Sequence, residues 1–346
     1  MKIKIAINGF GRIGRNLFRL LINHTEIEVV AINDLAPTST MAHLLKYDSV
    51  HGKLSQNISF TEEYLIVNDL KIPFLHQADV SKINWKPFDV DFVIECTGKH
   101  KTTALLANHL QNGAKQVILS VPPEDKEIKT VVLGVNEHIL DGSETIVSNA
   151  SCTTNNAAPM IKIIKELCGL ETAFITTVHS YTTDQSLHDQ PHKDLRRARA
   201  AVQSIIPTTT GAAKALTKIF PEYEGKIGGG GIRVPVPDGS LTDITCYVSK
   251  STTVEEINQA FENASKNELK GILEYTSDPI VSVDVLGNSH SCVFDAQLTT
   301  VLDRMVKIVG WYDNEIGYSS RLIDLIIHLN KTNSNIQKNN CNIVKN

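Results

Sequence analysis

The sequence contains 346 residues, of which 42% are hydrophobic and 21% charged, with a formal net charge of −4. This length fits two domains better than one, and the composition is too apolar for a disordered chain. The near-neutral charge argues against nucleic acid or an anionic membrane as the main partner. No apolar stretch is long enough for a membrane span, and no secretory signal pattern is evident.

The cysteines show neither a CxxC pair nor the dense spacing of a disulfide framework or a structural zinc site. They stand at positions 96, 152, 168, 246, 292 and 341. His188 and His192 have an i, i+4 spacing that metal ligands could use, but Pro191 interrupts any helix between them. We therefore expect no metal and a location in the reducing cytoplasm.

The first 150 residues alternate between short β-branched runs and helical stretches, which predicts a parallel sheet with crossover helices. Apolar residues at helical spacing predict a helix from Arg12 to Asn23. Predicted strands are Ile3–Ile7, Ile27–Ile32, Val90–Glu95, Gln116–Leu119 and Thr130–Leu133.

After about residue 150 the strands are separated by longer insertions, which favours a mostly antiparallel second sheet. Predicted strands there are Phe174–Val178, Ile232–Val236, Asp243–Val248, Ser282–Leu286 and Met305–Trp311. Helices are expected at Ala212–Phe220, Val254–Asn267 and Gly317–Leu329. The tail from Asn330 is rich in Asn and Lys and is expected to be frayed.

A G-x-G-x-x-G motif, formed by Gly9, Gly11 and Gly14, lies between the first predicted strand and the first helix. The glycines permit a tight turn and a close approach to a pyrophosphate, whose charge is met by the helix N-terminus. Asp34 follows Gly14 by 20 residues, at the end of the second strand, where an acidic side chain accepts from ribose hydroxyls. This context predicts a dinucleotide site that prefers NAD to NADP, although Asp34 could instead be a turn residue.

Ser151 is a good N-cap for a helix that would begin at Cys152. The first turn of a helix favours a thiolate through its dipole and its free N–H groups. His179 ends a predicted strand and is the candidate base. The other reading of a cysteine is a small buried hydrophobe, which we assign to Cys96, Cys168, Cys246 and Cys292.

A basic run from His192 to Arg199 and a lone Arg233 are candidate anion sites. Guanidinium groups provide the paired donors that phosphate needs. Hydroxyl and backbone donors could come from Ser151, Thr182 and the stretch Thr208–Gly211. The basic run could equally be a solvated face, a subunit contact or an RNA-attracting patch.

Several motifs occur in the order found in one known family. They are Ile7–Arg15, His43–Gly52, Ser148–Asn155, His179–Thr182, Asp194–Ala201, Pro207–Lys214 and Trp311–Glu315. Over about residues 2 to 329 the chain resembles phosphorylating glyceraldehyde-3-phosphate dehydrogenase, in the form common in bacteria and plastids.

The resemblance implies an α/β Rossmann domain and an α+β catalytic domain with a mixed, mainly antiparallel sheet. By this resemblance residues 1–150 form the NAD-binding domain, completed by a C-terminal helix at about 315–330. Residues 151–314 form the catalytic domain, and 331–346 are a tail. A homotetramer is also implied, with the loop from about Tyr181 to Gln203 along a subunit interface.

The resemblance also assigns site residues. It makes Cys152 the nucleophile and His179 its partner. The cofactor residues would be Gly9, Gly11, Arg12, Ile13, Gly14, Asp34, Ser120 and Asn314. Thr182 and Arg233 would hold the substrate's phosphate, whereas inorganic phosphate would face Ser151, Thr153, Thr210 and Gly211, with Arg197 nearby.

The reaction so implied is the NAD-dependent oxidative phosphorylation of glyceraldehyde 3-phosphate to 1,3-bisphosphoglycerate, a step of glycolysis and gluconeogenesis. It passes through a cysteine hemithioacetal and a thioester. Two alternatives are erythrose-4-phosphate dehydrogenase and an additional non-catalytic binding role.

The chain departs from the family pattern at several positions. Ala78 replaces an arginine often found near the adenine, and Asn156 replaces a second cysteine. The stretch Val236–Ser240 and the glycine run Gly228–Gly231 also differ. Gln190 lies where it could affect the preference for NAD over NADP.

Overall fold

The computed structural model describes residues 2–343, with side chains described as far as Ser334. The chain forms two compact units. The amino-terminal unit comprises the residues up to Val131, Glu137–Ala150 and the chain from Ser319 onward; the catalytic unit comprises Val132–Asn136 and Ser151–Tyr318. None of the helices in the described part combines the length and hydropathy needed to span a bilayer.

The amino-terminal unit alternates strands and helices, as the sequence pattern predicts. Its elements are β1 (Ile3–Asn8), α1 (Arg12–Leu21), β2 (Ile27–Asn33), α2 (Thr38–Lys46), β3 (Tyr47–Asp48), β4 (Gly52–Lys53), β5 (Ile58–Phe60), β6 (Tyr64–Val67), β7 (Leu70–Leu75), β8 (Phe92–Glu95), α3 (Thr103–Gln111), β9 (Gln116–Leu119), β10 (Lys129–Thr130) and β11 (Ile146–Ser148).

The main sheet of this unit has the order β10-β11-β9-β8-β1-β2-β7-β6-β5. Every pair from β10 to β7 is parallel, and β5, β6 and β7 form an antiparallel edge. The chain proceeds from β1 to β2 on one side and returns to β8 on the other. The carboxyl ends of β1 and β8 therefore form the switch point at which such sheets bind ligands.

The catalytic unit carries a second sheet. Its elements are α4 (Cys152–Cys168), β12 (Leu170–Ser180), β13 (Ile206–Thr208), α5 (Ala212–Ile219), β14 (Ile227–Val234), β15 (Ser240–Val248), α6 (Val254–Lys266), β16 (Leu273–Thr276), β17 (Cys292–Asp295), β18 (Thr300–Leu302) and β19 (Met305–Tyr312), followed by α7 (Ile316–Ile343).

The sheet order is β13-β14-β12-β15-β19-β17-β16, with β18 paired to β19. Two pairs, β12 with β14 and β16 with β17, are parallel and the others are antiparallel. The predicted Rossmann domain joined to a mixed, mainly antiparallel sheet is confirmed. Helix α4 packs on β15 and β19, and α5 and α6 pack beside it.

Three sequence predictions of local structure differ from the structure. The strand expected at Thr130–Leu133 is only the short β10, Lys129–Thr130. Ser282–Leu286 was expected to be a strand, but Ser282–Val285 is a 3₁₀ turn in which Asp284 accepts from the Val281 N–H at 2.8 Å. Val281 and Val283 are exposed, so these valines do not pack in a core as the side chains of a buried strand do.

Helix α7 also continues to Ile343 instead of ending at Leu329. The side-chain amide of Asn333 donates to Oε1 of Gln116 at 2.8 Å, which attaches the additional turns to the amino-terminal unit. The predicted frayed tail is therefore helical as far as Ile343, and its last three residues lie outside the described part.

We predict that Phe294→Ala destabilises the catalytic unit by about 3–5 kcal/mol, because Phe294 is fully buried and stacks on Phe261 with ring centroids 3.7 Å apart. Urea unfolding measures the change. Leu302→Ala is the control, since Leu302 is 60% exposed and its loss should cost less than about 0.5 kcal/mol. Equal losses would contradict this description of the core.

Candidate active site and cofactor site

Cys152 is the first residue of α4, as the sequence predicts. Ser151 caps the helix, with its Oγ accepting from the Thr154 N–H at 3.2 Å. Ala150, just before the cap, has a φ of +57°, a backbone region that a residue with a Cβ seldom adopts. Strain of this kind is often found at functional sites.

Strand register brings His179 and Arg233 to the same place. The parallel pairing of β12 with β14 sets these two residues directly opposite each other. The Ser180 carbonyl accepts from Nη1 of Arg233 at 2.9 Å and lies 2.8 Å from Nδ1 of His179, and Nη1 of Arg233 also contacts Nδ1. Nε2 of His179 lies 3.5 Å from Sγ of Cys152. The nucleophile, the base and a cation predicted from separate motifs thus form one cluster.

Burial determines the protonation of this pair. Burial and the charge of Arg233 lower the pKa of His179 to about 3, so the ring is neutral at physiological pH. In the tautomer whose Nδ1–H donates to the Ser180 carbonyl, the lone pair on Nε2 faces the sulfur. Burial also raises the pKa of the Cys152 thiol, although Arg233 and the Thr153 N–H act in the opposite direction. The sequence predicted that the helix N-terminus and a nearby imidazole favour the thiolate, and burial of the sulfur acts against both.

Several supporting residues were not singled out from the sequence as site residues. The Tyr312 hydroxyl is bonded to Oγ1 of Thr153 at 2.9 Å and to Oγ1 of Thr177 at 3.0 Å, and its ring lies edge-on to His179. The Thr153 hydroxyl is thereby held in the protein interior. Only strand pairing between distant segments could have revealed this contact.

Asn314 is held by two further hydroxyls. Its Oδ1 accepts from Ser180 Oγ at 2.9 Å and from Ser240 Oγ at 2.7 Å. Its backbone N–H donates to Asp238, within the stretch Val236–Ser240 that departs from the family pattern. Because Oδ1 accepts two hydrogen bonds, the orientation of the Asn314 amide is fixed, and its nitrogen remains a donor for a ligand.

Among the predicted phosphate residues, Arg197 contacts the segment that leads into α5. Arg197 donates through Nε to Thr208 Oγ1 at 2.9 Å and through Nη2 to the Thr209 carbonyl at 3.1 Å, and Nη1 pairs with Asp184. Arg197 therefore lies against the stretch containing Thr210 and Gly211, which precedes α5. Thr182, two residues beyond β12, has its carbonyl bonded to the Gln185 N–H.

The glycine motif fits a dinucleotide. A Cβ at Gly9, whose φ is +94°, would lie 2.7 Å from the Thr97 nitrogen, and a Cβ at Gly14 would lie 2.3 Å from the Gly9 carbonyl oxygen. These two glycines are required for the loop to pack. A Cβ at Gly11 would meet nothing within 4 Å, so this side of the loop is open for a phosphate group.

Asp34 is positioned by this same loop. Its Oδ2 accepts from the Phe10 N–H at 2.7 Å and its Oδ1 from the Ala36 N–H at 2.9 Å. Asp34, Gly9 and Gly11 line a cavity of about 280 Å³, as does Ala78. A fixed carboxylate beside an open glycine loop suits a ribose joined to a pyrophosphate.

The other predicted cofactor residues of the amino-terminal unit differ in their contacts. Arg12 pairs with Asp48 at 2.5 Å, and Ile13 is half-buried on the first turn of α1. Ser120 is buried and donates to the Glu95 carbonyl at 2.8 Å, which joins the ends of β8 and β9.

Comparison with known proteins places this geometry in a family. The family model "Glyceraldehyde 3-phosphate dehydrogenase, NAD binding domain" matches residues 3–103, and "Glyceraldehyde 3-phosphate dehydrogenase, C-terminal domain" matches residues 151–314. The chain belongs to the glyceraldehyde-3-phosphate dehydrogenase family. The amino-terminal unit is thus an NAD-binding domain.

Bacterial members of the family match along nearly the whole chain. Glyceraldehyde-3-phosphate dehydrogenase 1 of Bacillus subtilis (strain 168) is 48% identical over 333 residues, which cover 96% of this chain and 99% of that protein. The enzyme of Geobacillus stearothermophilus is 49% identical over 331 residues, covering 95% and 98% respectively. These matches do not favour the erythrose-phosphate alternative.

Two departures from the glyceraldehyde-3-phosphate dehydrogenase pattern have structural roles. Asn156 is buried and donates to the carbonyls of Gly310 and Trp311, which fastens α4 to β19. The Gly228–Gly231 run lies within β14 and pairs along its whole length with β12, whereas only Gly231 also pairs with β13. A Cβ at Gly229 would lie 2.8 Å from the Ile175 carbonyl oxygen, so glycine is needed there for close packing.

We predict that Arg233→Gln raises the pKa of Cys152, because the guanidinium charge lowers it. Less thiolate is then present at any pH below the new pKa, and alkylation of Cys152 by iodoacetamide should be slower at pH 7. The pH profile of the alkylation rate should shift to higher pH. Arg304→Gln is the control, since Arg304 pairs with Glu171 elsewhere. An unchanged profile in Arg233→Gln would contradict the assignment.

Proposed function

We propose that this protein catalyses the NAD-dependent oxidative phosphorylation of glyceraldehyde 3-phosphate to 1,3-bisphosphoglycerate. The observation that carries the proposal is the 3.5 Å approach of Nε2 of His179 to Sγ of Cys152, beside Arg233. Family membership supports the same activity.

In the proposed mechanism, Nε2 of neutral His179 accepts the Cys152 thiol proton, and Sγ attacks the aldehyde carbon. The protonated ring returns this proton to the former carbonyl oxygen, which gives the hemithioacetal hydroxyl and a neutral His179 again. His179 then holds the hydroxyl proton that is lost when the hemithioacetal becomes a thioester. NAD, when bound, supplies the acceptor for the hydride. These steps require the tautomer with the proton on Nδ1, and the Ser180 carbonyl, 2.8 Å away, would accept from it.

In this mechanism the substrate's phosphate and inorganic phosphate bind to different residues. Arg233, with Thr182, would bind the phosphate of the substrate. Inorganic phosphate would lie near Arg197, Thr210 and Gly211, with Ser151 as a further donor, and would attack the thioester to release the acyl phosphate. The Thr153 hydroxyl, which the resemblance placed here, is already bonded to Tyr312. Guanidinium donors suit both roles.

The residues of the site fit the parts of NAD as follows. Gly9, Gly11 and Gly14, with Arg12 and Ile13, would hold the pyrophosphate at the start of α1. Asp34 would accept from the ribose hydroxyls, and Ser120 would support the same sheet edge. The free amide nitrogen of Asn314 would donate to the nicotinamide carboxamide.

A homotetramer is part of the proposal. Apolar side chains are exposed along and just beyond the loop from Tyr181 to Gln203, with Leu187 64% exposed and Leu195 81% exposed. Phe174 and Tyr247, from β12 and β15, are also exposed on one face of the catalytic sheet. Such apolar surface supports burial against other subunits.

A cytoplasmic location is also proposed. Five cysteines of the described part, Cys96, Cys152, Cys168, Cys246 and Cys292, are free thiols. A reducing compartment keeps such thiols from oxidising.

We predict that Cys152→Ala abolishes turnover, because no other group replaces the nucleophile, while NAD binding persists. NADH formation and NAD titration measure the two effects. Cys168→Ala is the control, since Cys168 is buried at the far end of α4 and should leave turnover within about twofold of the wild type. Full activity of Cys152→Ala would reject the mechanism.

We predict that NADH formation from glyceraldehyde 3-phosphate and NAD requires inorganic phosphate. Arg197→Lys should raise the KM for phosphate about tenfold, since a lysine loses the paired donors of the guanidinium. Arg196→Lys is a matched control, because Arg196 is the exposed neighbour. Turnover that ignores phosphate would instead indicate an enzyme that hydrolyses its thioester to the free acid.

A further inference from the structure

A buried carboxylate with two histidines lies at the switch point of the amino-terminal unit. Glu95, at the end of β8, is fully buried, and its Oε2 lies 3.2 Å from Nδ1 of His100 and 3.1 Å from Nε2 of His109. Its other oxygen accepts from the Thr97 N–H at 2.8 Å. Asn8, at the end of β1, donates to Oε2 at 2.5 Å.

Hydrogen bonding fixes the roles of the two histidines. The indole N–H of Trp85 can only donate, and it lies 3.0 Å from Nδ1 of His109. Nδ1 of His109 therefore accepts, and its Nε2–H donates to Glu95. Both nitrogens of His109 are occupied, so the cluster is a hydrogen-bonded anchor for His100 and not a metal site.

His100 is the member of the cluster that reaches the cofactor cavity. It lines the same cavity of about 280 Å³ as Asp34 and Gly11. Although burial opposes its ionisation, hydrogen bonds from His100, His109 and Thr97 lower the pKa of Glu95 to about 2. The ionised carboxylate holds Nδ1–H of His100, which leaves Nε2 for a ligand.

We propose that His100, anchored by Glu95, is a further cofactor-binding residue whose imidazolium Nε2–H donates to an acceptor atom on the adenosine diphosphate half of NAD. This adds a residue to the NAD site of the proposed function, and it rests on that function. A cation suits this half of the ligand because the diphosphate is anionic.

The charges around His100 set the direction of its pH dependence. The hydrogen bond and charge of Glu95 raise the pKa of His100, whereas burial and the neighbouring Lys99 lower it. His109 packs edge-on to the ring, and Asp34 lines the same cavity. The imidazolium is present below the raised pKa and is lost as the pH rises through it, so NAD should bind more weakly at alkaline pH.

The test is the affinity for NAD and for ADP-ribose, which lacks the nicotinamide, measured by calorimetry from pH 6 to pH 9. In the wild type both ligands should lose about three- to tenfold in affinity across this range, the loss expected when a hydrogen bond loses its charge. In His100→Gln the affinity should be nearly independent of pH. His138→Gln is the control, because His138 is exposed elsewhere in this unit.

Proton uptake tests the same inference without a variant. Repeating the wild-type titration in buffers of different ionisation enthalpy should show uptake of a fraction of a proton on binding. No uptake, an unchanged pH dependence in His100→Gln, or a dependence seen with NAD but not with ADP-ribose would overturn the role of His100. Failure of both ligands to bind at any pH would reject the cofactor site itself, and with it the proposed function.

Discussion

The parallel pairing of β12 with β14 is the constraint on which the chemistry of the catalytic unit depends. Side chains alternate along a strand, so a register shift of one residue would move Arg233 to the other face of the sheet from His179. In the observed register both residues converge on the Ser180 carbonyl. The helix that begins at Cys152 then needs only to place its first residue beside Nε2 of His179.

The carboxyl ends of the parallel strands β1 and β8 organise the amino-terminal unit. The ends of β1 and β8 lie side by side at the switch point, and the buried Glu95 accepts from Asn8 and Thr97 there. A buried carboxylate is costly unless its oxygens are bonded. Here its donors come from the strand ends that carry the cofactor loop, so the stability of that carboxylate and the shape of the site depend on the same contacts.

Burial modifies what local sequence suggests about reactivity. A cysteine in the first turn of a helix is expected to ionise readily, yet desolvation raises the pKa of Cys152 and also keeps His179 neutral. A neutral imidazole whose lone pair faces a thiol can remove its proton when substrate arrives. Reactivity in this site therefore comes from the pair and from Arg233, and not from the helix dipole alone.

Elements whose signals are local could be predicted from the amino-acid sequence alone. Alternating β-branched runs and helical periodicity predicted the Rossmann unit, and the glycine motif with Asp34 predicted its ligand, because these patterns lie within single βαβ segments. The N-cap at Ser151 and the strand that ends at His179 predicted the Cys152–His179 pair, and motif order predicted the family. The 3₁₀ turn at Ser282–Val285 and the extension of α7 were missed, since a side-chain cap and a contact between Asn333 and Gln116 decide them. Only the tertiary structure decided that Tyr312, Ser240 and Glu95 support the two sites, because strand pairing and burial bring together residues that are far apart in the chain.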